Sequence, residues 1–96
     1  MDKLRKIENI RDQIDEIDSK ILNLISKRKD LVTEVVKFKD RNQIIDQKRI
    51  DEILKKLDEK AKKSGVSQAL VKELWNAMIR SFISYEEEIY DKIHKK

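Results

Sequence analysis

Apolar residues recur at every third or fourth position along the first part of the chain, and this regularity limits the fold more than any other feature. The series is Ile7, Ile10, Ile14, Ile17, Ile21, Leu24, Leu31, Val35 and Phe38. Such spacing predicts a single amphipathic helix from about residue 4 to about residue 41. That helix would be roughly 55 Å long, whereas a compact monomer of this length has a radius of gyration of about 12 Å. The helix overhangs a monomeric fold, so we expect a partner to cover its apolar seam.

The rest of the chain is poor in residues that favour strands and turns. The whole chain has no proline, one glycine and 44% charged residues, a composition that favours helix. The segment "DRNQIIDQ" interrupts the first pattern, and Asp46 is a predicted N-cap for a second helix. Gly65 suits the left-handed position that ends this helix, and Ser67 can cap a third. We therefore predict an all-α fold of three helices, in one domain spanning residues 1–96.

Charge and composition exclude several classes of function. The 23 basic and 19 acidic residues give a net charge of +4, and the two signs are interspersed, as on a solvated helical surface. Nucleic-acid binding would need a clustered basic stripe, whereas a mild positive excess favours a small anionic ligand. The absence of cysteine excludes disulfides and thiolate chemistry. His94 is the only histidine, too little for a histidine metal site or a serine triad, and we interpret it as a solvated residue of the tail.

The sequence predicts neither a signal peptide nor a membrane span. "MDKLRKIENI" has no apolar core of a signal peptide, and no apolar run approaches the roughly 20 residues that span a bilayer. We expect a soluble, cytoplasmic protein with no membrane partner.

Arg28 occupies a position in the first helix where the pattern calls for an apolar residue. A guanidinium there is costly to desolvate unless an anion pairs with it. Lys39 follows eleven residues later, close to three turns and about 16 Å along the axis on nearly the same face. The two cations could clamp a small dianion. Arg11 lies about 25 Å from Arg28 along the axis, so it could reach the same ligand only from an antiparallel second chain, which would give two sites related by a two-fold axis.

Glu86 falls on the apolar stripe of the third helix, eleven residues after Trp75 and four after Phe82. Burial disfavours a charged carboxylate, so Glu86 could stay protonated and donate a hydrogen bond, or pair with a cation. Arg49, in the first turn of the second helix, could add another cation.

Each of these residues also has a simpler interpretation. Arg28 could merely set the register of a helix pair. Arg11, Lys39 and Arg49 could lie on a solvated face, and Glu86 could be exposed at a fraying helix end. Three further residues of the last helix are most simply core: Trp75, Met78 and Phe82. Only the joint spacing distinguishes a site from these alternatives.

The motifs taken together resemble the all-helical chorismate mutase family. "IRDQIDEIDSKILNLISKRKDLVTEVVKFK" is similar to the opening pattern of that family, with Arg11, Arg28 and Lys39 in place. "IIDQKRIDEIL" resembles the entry to its second helix, and "LWNAMIRSFISYEEE" resembles its last helix. The resemblance covers nearly the whole chain.

The resemblance implies a fold and a reaction. The family fold is an intertwined homodimer in which the long first helices pair. Its reaction is the Claisen rearrangement of chorismate to prephenate, which needs no cofactor, metal or nucleophile. The enzyme folds the enolpyruvyl side chain over the ring and stabilises charge on the breaking ether oxygen.

The resemblance also assigns roles to the matching residues. Arg28 and the partner chain's Arg11 would bind the two carboxylates of chorismate. Lys39 would contact a carboxylate and the ether oxygen, and Glu86 would face that oxygen from the other side. Because the oxygen can use a hydrogen-bond donor, Glu86 would have to be protonated.

The remaining site residues include two departures from the family pattern. Arg49 would line the floor of the pocket, and Asp46 would offer a backbone group near the ring hydroxyl. Ile50 stands where the mutases usually place a glutamate that holds this hydroxyl. Phe82, which would line the site, occupies a position often taken by serine or threonine. The loop from Lys39 to Arg49 is also shorter than in the familiar bacterial mutase domains.

These departures leave two alternatives to a chorismate mutase. The isochorismate-pyruvate lyase branch shares the fold and the cations, and tolerates an apolar residue after the matching arginine and an aromatic residue in the last helix. A non-catalytic helical interaction module would show the same apolar seam. The mutase, acting in the biosynthesis of phenylalanine and tyrosine, is the function that we predict.

Overall fold

The computed structural model describes residues 2–95, and within them the chain forms helices and no strand. Helix α1 spans Asp2–Val36, α2 spans Gln47–Ser64 and α3 spans Gln68–His94. A 3₁₀ turn at Arg41–Gln43 lies between α1 and α2. The prediction of an all-α fold is confirmed.

The chain divides into two compact units between Val32 and Thr33. The described part of the first unit is a continuous stretch of α1. Its seam residues are at least 39% exposed: Ile7, Ile10, Ile14, Ile17, Ile21, Leu24 and Leu31. Helices in proteins gain most of their stability from tertiary packing of an apolar face. The described part of this unit holds no other element against which α1 could bury its face.

The second unit contains the buried core of the described chain. Helix α2 packs against α3, and four apolar residues are buried: Val36, Ile44, Ala61 and Ile79. The facing sides of α2 and α3 supply further half-buried residues: Ile50, Ile53, Leu54, Leu57, Val71, Trp75, Met78, Phe82, Ile89 and Ile93. So few fully buried side chains make a thin core, as expected for a domain of this size.

The caps predicted for α2 and α3 are confirmed. The carboxylate of Asp46 accepts a hydrogen bond from the backbone N–H of Arg49 at 3.1 Å, which satisfies a donor that the first turn would leave open. Gly65 follows α2 with φ of 70°, the left-handed conformation that favours glycine. The hydroxyl of Ser67 accepts from the backbone N–H of Leu70 at 3.2 Å at the start of α3.

Helix α1 ends at Val36 rather than near residue 41, and this part of the prediction is wrong. The amides of residues 37–39 donate to carbonyls three residues earlier, at 3.2, 3.0 and 3.3 Å, a tighter bonding that ends the α-helix. The Asp40 N–H then donates to the side-chain oxygen of Gln43 at 2.7 Å, which opens the 3₁₀ turn. Lys39 consequently lies in a non-helical connection, and not on the helix as its spacing predicts.

Candidate active site

Lys39 and Glu86 meet between the connection that follows α1 and the middle of α3. The Lys39 ammonium donates to Oε1 of Glu86 at 3.1 Å, and the two side chains are only 24% and 10% exposed. The burial of Glu86 confirms its place on the apolar stripe, and the alternative of an exposed helix end is wrong. Of the two states that its burial allowed, the structure shows the carboxylate paired with a cation.

An aromatic pair lies one turn of α3 before this ion pair. Phe82 is half-buried, and its ring meets that of Tyr85 edge to face, with centroids 6.4 Å apart at 83°. The Tyr85 hydroxyl shares a 2.9 Å hydrogen bond with the hydroxyl of Thr33 on the last turns of α1. Because residues four apart lie on one helix face, Phe82 stands beside Glu86 along α3.

The first unit carries two of the three arginines of the predicted site, Arg28 and Arg11. Arg28 is half-buried, and its Nη1 atom is buried. Arg11 is exposed, so its side chain is accessible to a second chain.

The start of α2 holds the remaining predicted residues. The carboxylate of Asp46 serves as the N-cap, and the side chain of Arg49 is exposed. Ile50 is half-buried beside it, with no charge to offer a ring hydroxyl. Asp46 thus has a structural role whether or not its backbone also meets a ligand.

The end of α3 makes contacts that the sequence did not indicate. Nε2 of His94 lies 2.8 Å from the backbone oxygen of Val36. The His94 ring also stacks on that of Tyr90, with centroids 4.1 Å apart. The Arg41 guanidinium lies 4.7 Å from the Tyr90 centroid and pairs with Asp91. His94 is exposed, as predicted, but its ring also makes these two contacts, which the prediction did not include. The spacing of four between Tyr90 and His94 was the available signal.

Residues 2–95 show neither a metal site nor a membrane-spanning helix. They contain no group of three or more His, Asp or Glu side chains arranged to hold a metal ion. Among residues 2–95, no helix combines the length and apolar character needed to cross a membrane.

The predicted site lies inside the part of the chain that matches a known protein family. The model of the family described as chorismate mutase type II matches residues 10–87. The chain belongs to the chorismate mutase type II family. The match contains every residue of the predicted site: Arg11, Arg28, Lys39, Asp46, Arg49, Phe82 and Glu86. It stops short of Tyr90 and His94. Neither the curated proteins nor the solved structures gave a match. The resemblance drawn from the motifs is confirmed at the level of the family, which suggests an isomerase.

Proposed function

We propose that the chain is a cytoplasmic, homodimeric chorismate mutase that converts chorismate to prephenate in the biosynthesis of phenylalanine and tyrosine. The observation that carries the proposal is the 3.1 Å contact between Lys39 and Glu86, a shielded cation and carboxyl group inside the span that matches the family. The resemblance to the family assigns both groups to the ether oxygen of the substrate.

The rearrangement breaks one carbon–oxygen bond and forms one carbon–carbon bond within a single molecule. It takes no proton, electron or leaving group from the protein, so catalysis consists of positioning the side chain and stabilising developing charge. Lys39 donates to the ether oxygen as negative charge grows there. Once the substrate has drawn Lys39 away from it, Glu86 would have to carry a proton to assist from the other side, because an ionised carboxylate can only accept hydrogen bonds.

The arginines bind the two carboxylates of the substrate. A guanidinium matches a carboxylate with two parallel hydrogen bonds, and Arg28 and the partner chain's Arg11 take this role. Arg49, exposed at the start of α2, closes the floor of the pocket. Asp46 offers a backbone group near the ring hydroxyl.

Two unpartnered apolar surfaces support the homodimer. One is the exposed seam of α1. The other is a groove of about 340 Å³ between α2 and α3, whose apolar lining is Leu54, Leu57, Val71 and Trp75. A second copy of the chain supplies an apolar helix of suitable character to this groove, and large exposed apolar patches mark interaction sites. The same packing brings Arg11 to the other chain's site.

The experiment that tests the proposal offers chorismate and isochorismate separately to the purified protein. Substrate loss is followed by ultraviolet absorbance and the products are identified by chromatography. We expect prephenate from chorismate, no turnover by Arg28→Ala, and normal turnover by the control Arg80→Ala, which removes an exposed arginine of α3. No prephenate from the wild-type protein overturns the proposal.

A second candidate, an isochorismate-pyruvate lyase, draws on the half-buried Ile50 and Phe82. Isochorismate carries its hydroxyl on a different ring carbon, so an apolar residue at position 50 costs it no contact. Salicylate and pyruvate from isochorismate, with poor turnover of chorismate, would establish this activity instead.

A non-catalytic helical module is distinguished by Arg28→Met. In a module this change completes the apolar seam and leaves stability unchanged or higher. In an enzyme it abolishes turnover. Thermal unfolding and the chorismate assay on one preparation separate the two cases.

A further inference from the structure

The connection that carries Lys39 has little regular structure to hold it. It begins where α1 ends at Val36 and runs to the 3₁₀ turn at Arg41–Gln43. The Lys39 backbone N–H bonds to the Val36 carbonyl at 3.3 Å, and the next residue toward α1, Phe38, is 84% exposed. What fixes the Lys39 side chain must therefore come from neighbouring elements.

The carbonyl of Val36 receives a second donor from α3. It lies 2.8 Å from Nε2 of His94, and because a carbonyl oxygen only accepts, Nε2 carries the proton and donates. A carbonyl oxygen has two lone pairs, so one atom of Val36 holds both the His94 ring and the Lys39 amide. It is also one of the last carbonyls of α1, which the helix itself leaves without a partner.

A second contact with α3 lies on the other side of Lys39 along the chain. The Arg41 guanidinium lies 4.7 Å from the Tyr90 ring centroid, within the range of a cation–π contact, and Arg41 also pairs with Asp91. The Tyr90 ring stacks on that of His94 at 4.1 Å. The contact at Val36, made by His94, and the contact at Arg41, made by Tyr90, are therefore joined through the stacked rings. They flank Lys39 along the chain.

These contacts occupy one face of α3. Glu86, Tyr90 and His94 are spaced four apart, so they lie above one another on the helix. They meet in turn Lys39, Arg41 and the carbonyl of Val36. The last two contacts lie beyond residue 87, where the match to the family ends.

We infer that His94, with Tyr90 and Arg41, forms a latch that positions Lys39 for catalysis. These are positioning residues, since they act through the connection and not on the substrate. The catalytic part of the inference rests on the proposed mutase function. When a substrate carboxylate draws the Lys39 ammonium away from Glu86, the latch still holds the connection against α3, so the ammonium stays within reach of the ether oxygen. A displacement of about 1 Å in such a group can cost up to about a hundredfold in rate.

The test separates the two contacts of His94. His94→Phe keeps a ring that can stack on Tyr90 and removes the donor. His94→Gln restores an N–H donor at the same number of bonds from Cβ. Lys92→Ala is the matched control, because Lys92 is an exposed residue near the same end of α3. Arg41→Met removes the contacts of Arg41 with Tyr90 and Asp91 without changing His94.

Two readouts are needed, turnover of chorismate and amide hydrogen exchange of residues 37–43. We expect His94→Phe and Arg41→Met to lower kcat about tenfold with KM changed less than about twofold, and to speed exchange in this segment. His94→Gln recovers most of kcat and protection, and Lys92→Ala changes neither.

The outcomes keep the latch and the proposed function apart. If the wild-type protein does not convert chorismate, the proposed function fails, and the exchange measurement alone decides whether the latch holds the segment. If the wild type is active but His94→Phe leaves exchange or kcat unchanged, the latch does not position Lys39 and the inference is overturned. Equal losses in His94→Phe and His94→Gln would also overturn it, because the donor would then be irrelevant.

Discussion

Removal of the Lys39 ammonium should destabilise the fold because it leaves the Glu86 carboxylate shielded without its cation. At the observed separation of 3.1 Å and an effective dielectric constant of about 20, the attraction between the two charges is about 5 kcal/mol. Desolvation offsets most of this energy, but loss of one partner of a shielded pair still costs about 3 kcal/mol. We take the lower end of the known range because Lys39 keeps 24% of its side chain exposed.

A double-mutant cycle measures the pair directly. Lys39→Met should cost about 3 kcal/mol of unfolding free energy, and Glu86→Gln, which leaves Lys39 an amide oxygen to bond, about 1 kcal/mol. The double variant should cost about 2 kcal/mol, since no charge is then left without a partner, which gives a coupling of about 2 kcal/mol. Urea unfolding followed by circular dichroism is the assay, at one fixed protein concentration for all four proteins.

The cycle can refute the reasoning. If the two single effects add within about 0.5 kcal/mol, Lys39 and Glu86 do not interact in solution, and the shielded pair cannot be the centre of the site. Lys29→Met is a suitable control, because Lys29 pairs with its neighbour Asp30 where both side chains are largely exposed. Its effect should stay below about 0.5 kcal/mol.

Two further predictions concern the assembly and the fold. Mixing inactive Arg11→Ala and Arg28→Ala proteins should restore part of the activity, because each heterodimer holds one intact site; no recovery after subunit exchange would exclude a shared site. Gly65→Ala should cost about 1 kcal/mol in thermal or urea unfolding. The cause is the φ of 70° and not a clash, since a Cβ there would meet nothing within 4 Å.

Local signals in the sequence predicted the parts of the fold that local chemistry determines. Asp46, Gly65 and Ser67 each act within a few residues of their own position, so the chain near them was sufficient to place both ends of α2 and the start of α3. The burial of Glu86 followed from its place on a stripe of period 3.6.

Features that depend on distant residues escaped the sequence. The apolar pattern continues through Phe38, yet α1 ends at Val36, because hydrogen bonds to residues three back and the turn at Asp40 end the helix. The hydrogen bond of His94 could not be predicted because its partner, the Val36 carbonyl, is a backbone atom 58 residues away and leaves no trace in side-chain identity.

The exposed seam of α1 makes mass action part of the behaviour of this protein. If a second copy covers the seam, folding and association are one equilibrium, and the unfolding temperature rises with total protein concentration. Activity per chain would then decline on dilution, as dimers separate into chains whose sites lack the partner's Arg11. A rate measured only at trace concentrations would therefore underestimate the activity of the dimer.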